Sequence, residues 1–595
     1  MAIDVRELQS KSLPPALEAE MLRYEATVGE YLRGDLDEDV FRVYRLNNGV
    51  YGQRQGGHNQ MIRVKVPYGK VTPDQFEVLA HISETYSRGW GHLTTRQNVQ
   101  FHFVQLEDTT KVLRLLAACG LTSREACGDT VRNVMGCHLA GACPFEVVDI
   151  SAWADATAQY LLRHPYAQRL PRKFKINFSG CATDCGQAMF NDVGVIAVNR
   201  TLDDGTLEPG FKVMFAGGLG ANPHPAQALE DFTSREDLLP TIEALLRTFD
   251  HYGNRDNKLR ARMKWIVDTM GVDELRARIL KERKFLRGSV SWPGGIPGIV
   301  QERGDAPAGL GGGPVINAPG ATPITLRKTD PFARWDEANV VRGIANGTVS
   351  AYAYCDLGDI TTAQFLALAA IQRDFNLDVR ITPRQNLVFR DLTESDLRAL
   401  FDRLDELGMA KPGAELSRDV VSCPGADTCN LAVTQSRGLA SAIGTALDEA
   451  GLAEVGGVRV NISGCTNSCG QHHISDIGFF GLERRAHGRA APGYQMLLGG
   501  HLGDMQVEFG DKATKLPARN APQAVVQVVQ RFADERNAGE TFSGWLTRSG
   551  GAAKVGEPLK ALDVFPDPEV SPEFFVDFDE TGPYVSEIGE SECAT

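Results

Sequence analysis

Several features that are common in other protein classes are missing from this sequence. No run of about 18 apolar residues occurs, so no membrane-spanning helix is expected. The N-terminal segment MAIDVRELQSKS is polar and lacks the apolar core of a secretory signal peptide. Acidic residues outnumber basic ones by 76 to 62, and the resulting net charge of −14 argues against a general nucleic-acid-binding protein. We expect a cytoplasmic protein that binds neither membranes nor nucleic acids.

Cysteine, by contrast, is well represented, with 12 residues in a chain of 595. In a reducing compartment, cysteines serve as metal ligands or catalytic groups more often than they form disulfides. Eight of them form two copies of one pattern, a pair separated by five residues and then a pair separated by three. These eight are Cys137, Cys143, Cys181 and Cys185 in the first copy, and Cys423, Cys429, Cys465 and Cys469 in the second.

The residues around the cysteines repeat as well, so the chain is predicted to be internally duplicated. NFSGCATDCGQ (177–187) matches NISGCTNSCGQ (461–471), and TTRQNVQF (94–101) matches TPRQNLVF (382–389). Strand-like and helix-like periodicities alternate between these motifs, which indicates an α+β fold. The segment PDQFEVLAHISETYS (73–87), for example, has helical spacing and is predicted to be a helix. A segment rich in Gly and Pro, 289–325, separates the two copies and is expected to be a linker.

Each cysteine quartet has the composition of an iron–sulfur site. Four thiolates in two closely spaced pairs are the usual ligand set of a [4Fe–4S] cluster, and the neighbouring glycines let the backbone approach such a cluster closely. A structural zinc site is a second interpretation, although zinc sites favour spacings of about two to four residues. Buried cysteines without any ligand are a third. The spacing favours a cluster.

Basic residues lie close to the cysteines of the first copy. Lys173 and Lys175 are on a predicted strand just before the third cysteine, Arg132 precedes the first cysteine, and Arg63 lies on an earlier predicted strand. Such cations can bind a small oxyanion and stabilise developing negative charge. The alternative is that they are ordinary surface charges at strand ends.

The second copy conserves only part of this basic set. The repeat places Gly457 opposite Lys173, and it places Tyr352 opposite Arg63, or Ala351 if the alignment slips by one residue. Arg459 and Arg418 keep the charges of the other two positions. The sequence therefore predicts one working anion site and one degenerate site.

The repeated motifs resemble those of the siroheme-dependent sulfite and nitrite reductase family. The resemblance covers most of the chain and implies an α+β fold, internally duplicated, with ferredoxin-like half-domains and siroheme/[4Fe–4S]-binding domains. It rests on YGQRQ (51–55), LTTRQNVQFH (93–102), VRNVMGC (131–137), LPRKFK (170–175), YGNRDNKLRARMKW (252–265) and the two quartets. The implied divisions are 1–125 for an N-terminal arm and first half-domain, 126–288 for the first siroheme/cluster-type domain, 289–325 for the linker, 326–412 for the second half-domain, 413–545 for the second siroheme/[4Fe–4S] domain and 546–595 for an acidic C-terminal tail.

The same resemblance implies roles for individual residues. The second quartet, Cys423, Cys429, Cys465 and Cys469, is expected to hold a [4Fe–4S] cluster, with Cys469 also bridging to the siroheme iron. Four residues are expected to bind the substrate anion: Arg63, Arg132, Lys173 and Lys175. Siroheme is rich in carboxylates, and the candidates for contacts with it are Arg54, Arg96, Arg172, Asn98 and His102.

One feature departs from the common assimilatory pattern, in which the first half has usually lost its cysteines. Here Cys137, Cys143, Cys181 and Cys185 persist, as in dissimilatory sulfite reductase subunits. We therefore expect a second cluster in the first half, and the resemblance leaves open whether a second siroheme accompanies it.

The implied activity is the six-electron reduction of sulfite to sulfide, with reduction of nitrite to ammonia as the alternative. The two lysines of LPRKFK favour sulfite, whereas NVMGCHLAG (133–141) resembles the nitrite branch. A non-catalytic iron–sulfur electron carrier is the interpretation from another class. Because GGLG at Gly217 is not a G-x-G-x-x-G motif of a dinucleotide-binding unit, electrons are expected from a separate ferredoxin or flavoprotein.

Overall fold

The computed structural model describes residue 8 and residues 11–143, 145–298, 329–342, 348–414, 416–586 and 589. Within these ranges the chain forms two pairs of α/β units in the order that the sequence repeat predicts. Most of the predicted linker, from residue 299 onward, lies outside the described residues. No helix in the described part is both long and apolar enough to cross a membrane.

The first unit combines a sheet with helices, and one of these helices lies where the sequence periodicity predicts it. The helix predicted over 73–87 spans Pro73–Tyr86, and it begins at Thr72 with a capping box that Gln75 completes. The strands are β1 (Val50–Gly52), β2 (Asn59–Val64), β3 (Lys70–Val71), β4 (Trp90–Leu93) and β5 (Val99–Gln105), and the helices are α1 (Pro15–Leu32), α2 (Glu38–Asn47), α3 (Pro73–Tyr86) and α4 (Thr109–Ala118).

The second unit contains a sheet in the order β10-β9-β8-β7-β6, in which β6, β7 and β8 run parallel. Its helices cover the sheet with a core that includes Trp153 and Phe211. The strands are β6 (Met135–Gly136), β7 (Ile176–Ser179), β8 (Val193–Thr201), β9 (Leu207–Phe215) and β10 (Gln227–Thr233), and the helices are α5 (Ser151–Leu161), α6 (Arg235–Tyr252), α7 (Lys264–Met270) and α8 (Val272–Leu286).

The third and fourth units repeat these two architectures. The third contains α9 (Pro331–Asn339), β11 (Val340–Val341), β12 (Val349–Ala353), β13 (Asp359–Thr361), α10 (Thr362–Phe375), β14 (Asp378–Ile381), β15 (Leu387–Leu392) and α11 (Leu397–Glu406). The fourth contains β16 (Val421–Ser422), α12 (Ser436–Glu449), β17 (Val460–Ser463), β18 (Ile477–Ala486), β19 (Arg489–Leu498), β20 (His501–Gly503), β21 (Gln506–Glu508), β22 (Asp511–Pro517), α13 (Ala521–Glu535), α14 (Phe542–Arg548) and α15 (Gly551–Gly556).

The two ferredoxin-like units exchange edge strands. The sheet of the first unit has the order β1-β2-β5-β4-β13, so its last strand comes from the second half of the chain. The sheet of the third unit has the order β11-β12-β15-β14-β3, so its last strand comes from the first half. Both units share one buried core. The exchange ties the two copies together and closes one edge of each sheet.

Two details differ from the sequence interpretation. Lys173 and Lys175 do not lie on a strand, because β7 begins at Ile176 and the residues before it form an irregular segment with one bridge at Phe174. The predicted start of the tail, residue 546, lies inside α14, whose Trp545 packs in the core of the fourth unit.

Candidate functional site

The second quartet lies in loops that follow two parallel strands. Cys423 follows β16 and Cys465 follows β17, and these strands are neighbours in the sheet. The Gly464 N–H donates to the Cys423 Sγ at 3.3 Å. Burial raises the pKa of Cys423, and it raises the pKa of Cys429 to about 12. Because the Cys469 sulfur acts electrostatically on the other three thiols, the four side chains form one group.

The first quartet has the same construction on β6 and β7. The thiol of Cys143 forms a hydrogen bond with Cys181, and this contact lowers the pKa of Cys181 to about 7. Cys185 forms the corresponding hydrogen bond with Cys137, and this contact raises the pKa of Cys185 well above its usual range. The structure therefore brings together the four cysteines that the sequence pattern selected.

Both quartets fit an iron–sulfur cluster by the chemistry of their donors. All four side chains in each group are thiols, the ligands that such clusters take. Within the described residues, no three His, Cys, Asp or Glu side chains close around a point that would suit a single metal ion. A [4Fe–4S] cluster is larger than one ion, because each thiolate bonds to a different iron.

Arg63 and Arg132 are held by one loop of the first half. Both guanidinium groups donate to the carbonyl of Ala126, at 3.3 Å from Arg63 and 2.9 Å from Arg132. The Nε and Nη2 of Arg132 also donate to the Gly128 carbonyl, at 3.2 and 2.9 Å. When the Gln100 amide is oriented with its oxygen toward Arg63, that oxygen accepts two hydrogen bonds from the guanidinium, at 2.7 and 2.9 Å. Backbone carbonyls of one loop thus hold both arginines in place.

Lys173 and Lys175 form the second part of this cationic group. Burial lowers the pKa of Lys173 to about 8, and the nearby Cys469 sulfur counteracts part of that shift. Burial and the charges of Arg96 and Arg262 lower the pKa of Lys175 well below its usual range. Lys173 is influenced by the charges of both Arg132 and Cys469, so it lies near the first-half cations and near the second quartet.

The arginines predicted to contact siroheme differ in the groups that hold them. Arg96 is half-buried, donates to the Asn133 carbonyl at 2.8 Å, and has its pKa lowered to about 9 by loss of contact with water. Arg54 reaches the second quartet, where its guanidinium donates to the Ala432 carbonyl at 3.2 Å. Arg172, by contrast, pairs with Asp129 at 3.3 Å.

Asn98 and His102 are both buried on or beside β5. His102 stacks on Trp90 at 5.6 Å between ring centroids, and burial lowers its pKa to about 3. Several polar atoms in this region are buried without a hydrogen-bond partner, which is the arrangement expected around a polar cofactor. They are Arg96 Nε, Asn98 Oδ1, His102 Nδ1, Asn133 Oδ1 and Ser468 Oγ.

Three contacts at this site involve residues that the sequence interpretation did not select. The Thr95 hydroxyl donates to the Cys469 carbonyl at 3.0 Å. The side-chain amides of Gln187 and Gln471 bond to each other across the two halves, at 2.7 and 2.9 Å. Both glutamines close a repeated CGQ motif, so the repeat itself was the signal that could have identified them.

The comparisons with known proteins identify the family. The family model described as "Nitrite and sulphite reductase 4Fe-4S domain" matches residues 127–285 and 413–552. This chain belongs to the nitrite and sulphite reductase family. The model "Nitrite/Sulfite reductase ferredoxin-like half domain" matches 51–119 and 345–407 of it. Membership confirms the predicted duplicated fold, the oxidoreductase class and the cofactors, siroheme and a [4Fe–4S] cluster.

Curated members of the nitrite and sulphite reductase family resemble the chain over most of its length. It is 29% identical to an assimilatory ferredoxin-dependent nitrite reductase of Haloferax mediterranei, over 86% of each protein. It is also 29% identical to the sulfite reductase [ferredoxin] of Mycobacterium tuberculosis, over 84% of this chain and 87% of that protein. The solved structure of the Mycobacterium tuberculosis NirA protein superposes with a TM-score of 0.71 at 27% identity, covering 87% of this chain and 91% of that one.

Proposed function

We propose that the protein reduces sulfite to sulfide by six electrons, with the cationic group Arg63, Arg132, Lys173 and Lys175 as its substrate-binding site. The observation that carries this proposal is a pair of half-buried lysines, of which Lys173 lies near the Cys469 sulfur and Lys175 lies near Asp192, a carboxylate that is already paired with Arg262 at 2.7 Å. Cations that are partly removed from water bind anions strongly, because few water molecules weaken the interaction.

The cofactors would be held by residues of both halves. The second quartet would hold the [4Fe–4S] cluster, while Arg54, Arg96, Asn98 and His102 would contact the siroheme carboxylates and edges. Siroheme linked to such a cluster would supply the iron at which these anions are reduced and a path for the electrons that the external donor delivers. Arg63 and Arg132 would orient the substrate oxygens, and Lys173 would release protons readily because its pKa is lowered to about 8.

Sulfite is favoured over nitrite on electrostatic grounds. Relatives at the same identity carry both names, so likeness alone does not separate the two substrates. Sulfite carries more negative charge than nitrite and gains more from four converging cations. We expect kcat/KM for sulfite to exceed that for nitrite when both are measured with the same reduced dye. A clear preference for nitrite would replace sulfite with the alternative substrate.

The lysine pair provides a direct test of the site. Lys175→Gln should lower kcat/KM for sulfite by about 10²–10³-fold, the range seen when one stabilising donor is removed, and should leave the bound siroheme unchanged in the visible spectrum. Lys515→Gln, on the exposed surface of β22, is the matched control and should retain full activity. Full activity in Lys175→Gln would remove Lys175 from the site.

The electron donor is proposed to be ferredoxin and the compartment the cytoplasm. The similar reductases of Haloferax mediterranei and Mycobacterium tuberculosis are both named for ferredoxin. Reduced ferredoxin should support turnover of sulfite, whereas NADPH without a flavoprotein should not. Turnover with NADPH alone would contradict the proposed donor.

A further inference from the structure

The duplication creates two positions at which a siroheme could lie, one beside each quartet. The strand register defines which residues correspond. Arg63 on β2 pairs with Gln100, and Tyr352 on β12 pairs with Val388, the repeat counterpart of Gln100. Tyr352 therefore occupies the place of Arg63, and the alternative alignment with Ala351 is wrong.

Tyr352 occupies space that a siroheme beside the first quartet would need. Its hydroxyl lies 2.8 Å from Nε2 of His138, the residue that follows Cys137, and the two rings are 5.6 Å apart. Tyr352 is 1% exposed and His138 is 5% exposed. Tyr352 also belongs to the buried core that contains Cys137 and Cys143. A macrocycle between this strand and the quartet would have to displace a buried, hydrogen-bonded pair.

The charges at the two positions differ as well. Beside the second quartet, Arg96 and Arg132 are held by backbone carbonyls and asparagine side chains. Asp192, the carboxylate that acts on Lys175, is already paired with Arg262 at 2.7 Å. These charges remain available to the carboxylates of a siroheme and to a substrate anion.

Beside the first quartet, the corresponding cations already have acidic partners. Arg418 pairs with Asp448 at 2.9 Å, and Arg459 pairs with Asp476 at the same distance. Arg384, the counterpart of Arg96, lies 4.0 Å from the Asp419 carboxylate. Gly457 supplies no charge in place of Lys173. Siroheme carboxylates here would compete with internal ion pairs, and binding would leave the buried Asp419 and Asp476 without their partners.

We infer that the first quartet, Cys137, Cys143, Cys181 and Cys185, holds a [4Fe–4S] cluster that carries no siroheme. The protein then binds two clusters and one siroheme per chain. The inference rests on the cofactors assigned under the proposed function and specifies how they are distributed between the halves.

One side-chain contact connects the chain segments that follow the two quartets. Gln187 is two residues after Cys185, Gln471 is two residues after Cys469, and the two side chains bond directly. Both glutamines have left-handed backbone conformations, with φ of 62° and 63°, which turn the chain sharply after each quartet. A cluster held by the first quartet would therefore be linked to the second quartet through this glutamine pair.

Cofactor counting on the anaerobically purified holoenzyme tests this distribution. We expect about eight cluster irons and about eight acid-labile sulfides per chain, together with one extractable siroheme. Two sirohemes per chain would overturn the inference, and so would about four cluster irons with one siroheme. The absence of siroheme would instead overturn the proposed function, so the two failures are distinguishable.

A matched pair of variants locates the siroheme-free cluster. Cys143→Ser should lower the iron content by about four per chain and remove one reduced-cluster signal from the electron paramagnetic resonance spectrum, with the siroheme content and its Soret band unchanged. Cys429→Ser, at the corresponding position of the other quartet, should change the siroheme spectrum as well. Loss of siroheme from a soluble, folded Cys143→Ser protein would overturn the inference, and the counts on the unmodified enzyme decide the question if either variant fails to fold.

Discussion

At the scale of single residues, the site depends on cations that backbone carbonyls hold in place. The loop that holds Arg63 and Arg132 presents the carbonyls of Ala126 and Gly128. That loop is in turn held by Glu125, which is completely buried and lies 3.6 Å from the ammonium of Lys65. The buried ion pair between Lys65 and Glu125 therefore stabilises the loop that holds the two arginines.

The Lys65–Glu125 pair makes a prediction about stability. Lys65→Met should lower the free energy of unfolding by about 3–5 kcal/mol, because it leaves the Glu125 carboxylate buried without a cation. Urea unfolding followed by tryptophan fluorescence measures this change. The double variant Lys65→Met/Glu125→Gln should recover much of the loss, since it buries no charge. A single variant no less stable than the double would contradict the role assigned to the pair.

At the scale of elements, the C-terminal segment 572–586 binds the loop that follows Cys429. Asp577 accepts the backbone N–H of Gln435 at 2.9 Å, and the Tyr584 hydroxyl donates to the Val433 carbonyl at 3.0 Å. These contacts fix the loop just before α12 begins. The tail thus covers one side of the second quartet rather than forming a unit of its own.

The attachment of this segment should depend on pH through Asp577. Burial raises the pKa of Asp577 from an ordinary 3.8 to about 6. Because the pKa is raised in the folded state, protonated Asp577 contributes its full stabilisation of the attachment below pH 3.8. This stabilisation is lost as the pH rises through about 6. Amides of 572–586 should therefore exchange hydrogen faster at pH 7 than at pH 5, after correction for intrinsic rates.

Substitution of Asp577 tests the cause of this pH dependence. Asp577→Asn keeps the acceptor for Gln435 but removes the ionisable group, so protection should be equal at both pH values. Asp579→Asn, at an exposed position two residues away, should behave like the unmodified protein. Equal protection at both pH values in the unmodified protein would show that Asp577 does not control the attachment.

At the scale of the whole molecule, neither half is structurally complete. β13 of the second half pairs with β4, and β3 of the first half pairs with β14. The cations proposed to bind the substrate come from the first half, and the sulfur of Cys469 comes from the second. Folding of the sheets and assembly of the site therefore both require the two halves together.

Splitting the chain within 299–328 tests this dependence. Fragments 1–298 and 329–595, expressed together, should assemble into a one-to-one complex that binds siroheme, because the cut leaves the exchanged strands intact. Each fragment expressed alone should aggregate or remain unfolded, since one sheet edge and much of the shared core are exposed. Size-exclusion chromatography with circular dichroism measures both outcomes. A monomeric, folded 1–298 fragment would contradict the requirement.

The sequence by itself determined the elements and the ligand pattern. Helical periodicity predicted α3 within one residue of its observed end, because a helix and its cap are set by local side chains. Cysteine spacing identified both quartets, since the geometry of a short loop limits which thiols can converge. The same local reasoning misplaced Lys173 and Lys175 on a strand, because residues beside a strand end share its alternating pattern.

Only the tertiary structure decided how the two halves differ. The sequence showed that Tyr352 is neutral, but not that it binds His138 beside the first quartet. It showed that Arg459 is basic, but not that Asp476 pairs with it. The exchanged strands and the Gln187–Gln471 contact likewise join residues far apart in the chain. Such pairings depend on which distant segments pack together, and no local pattern encodes them.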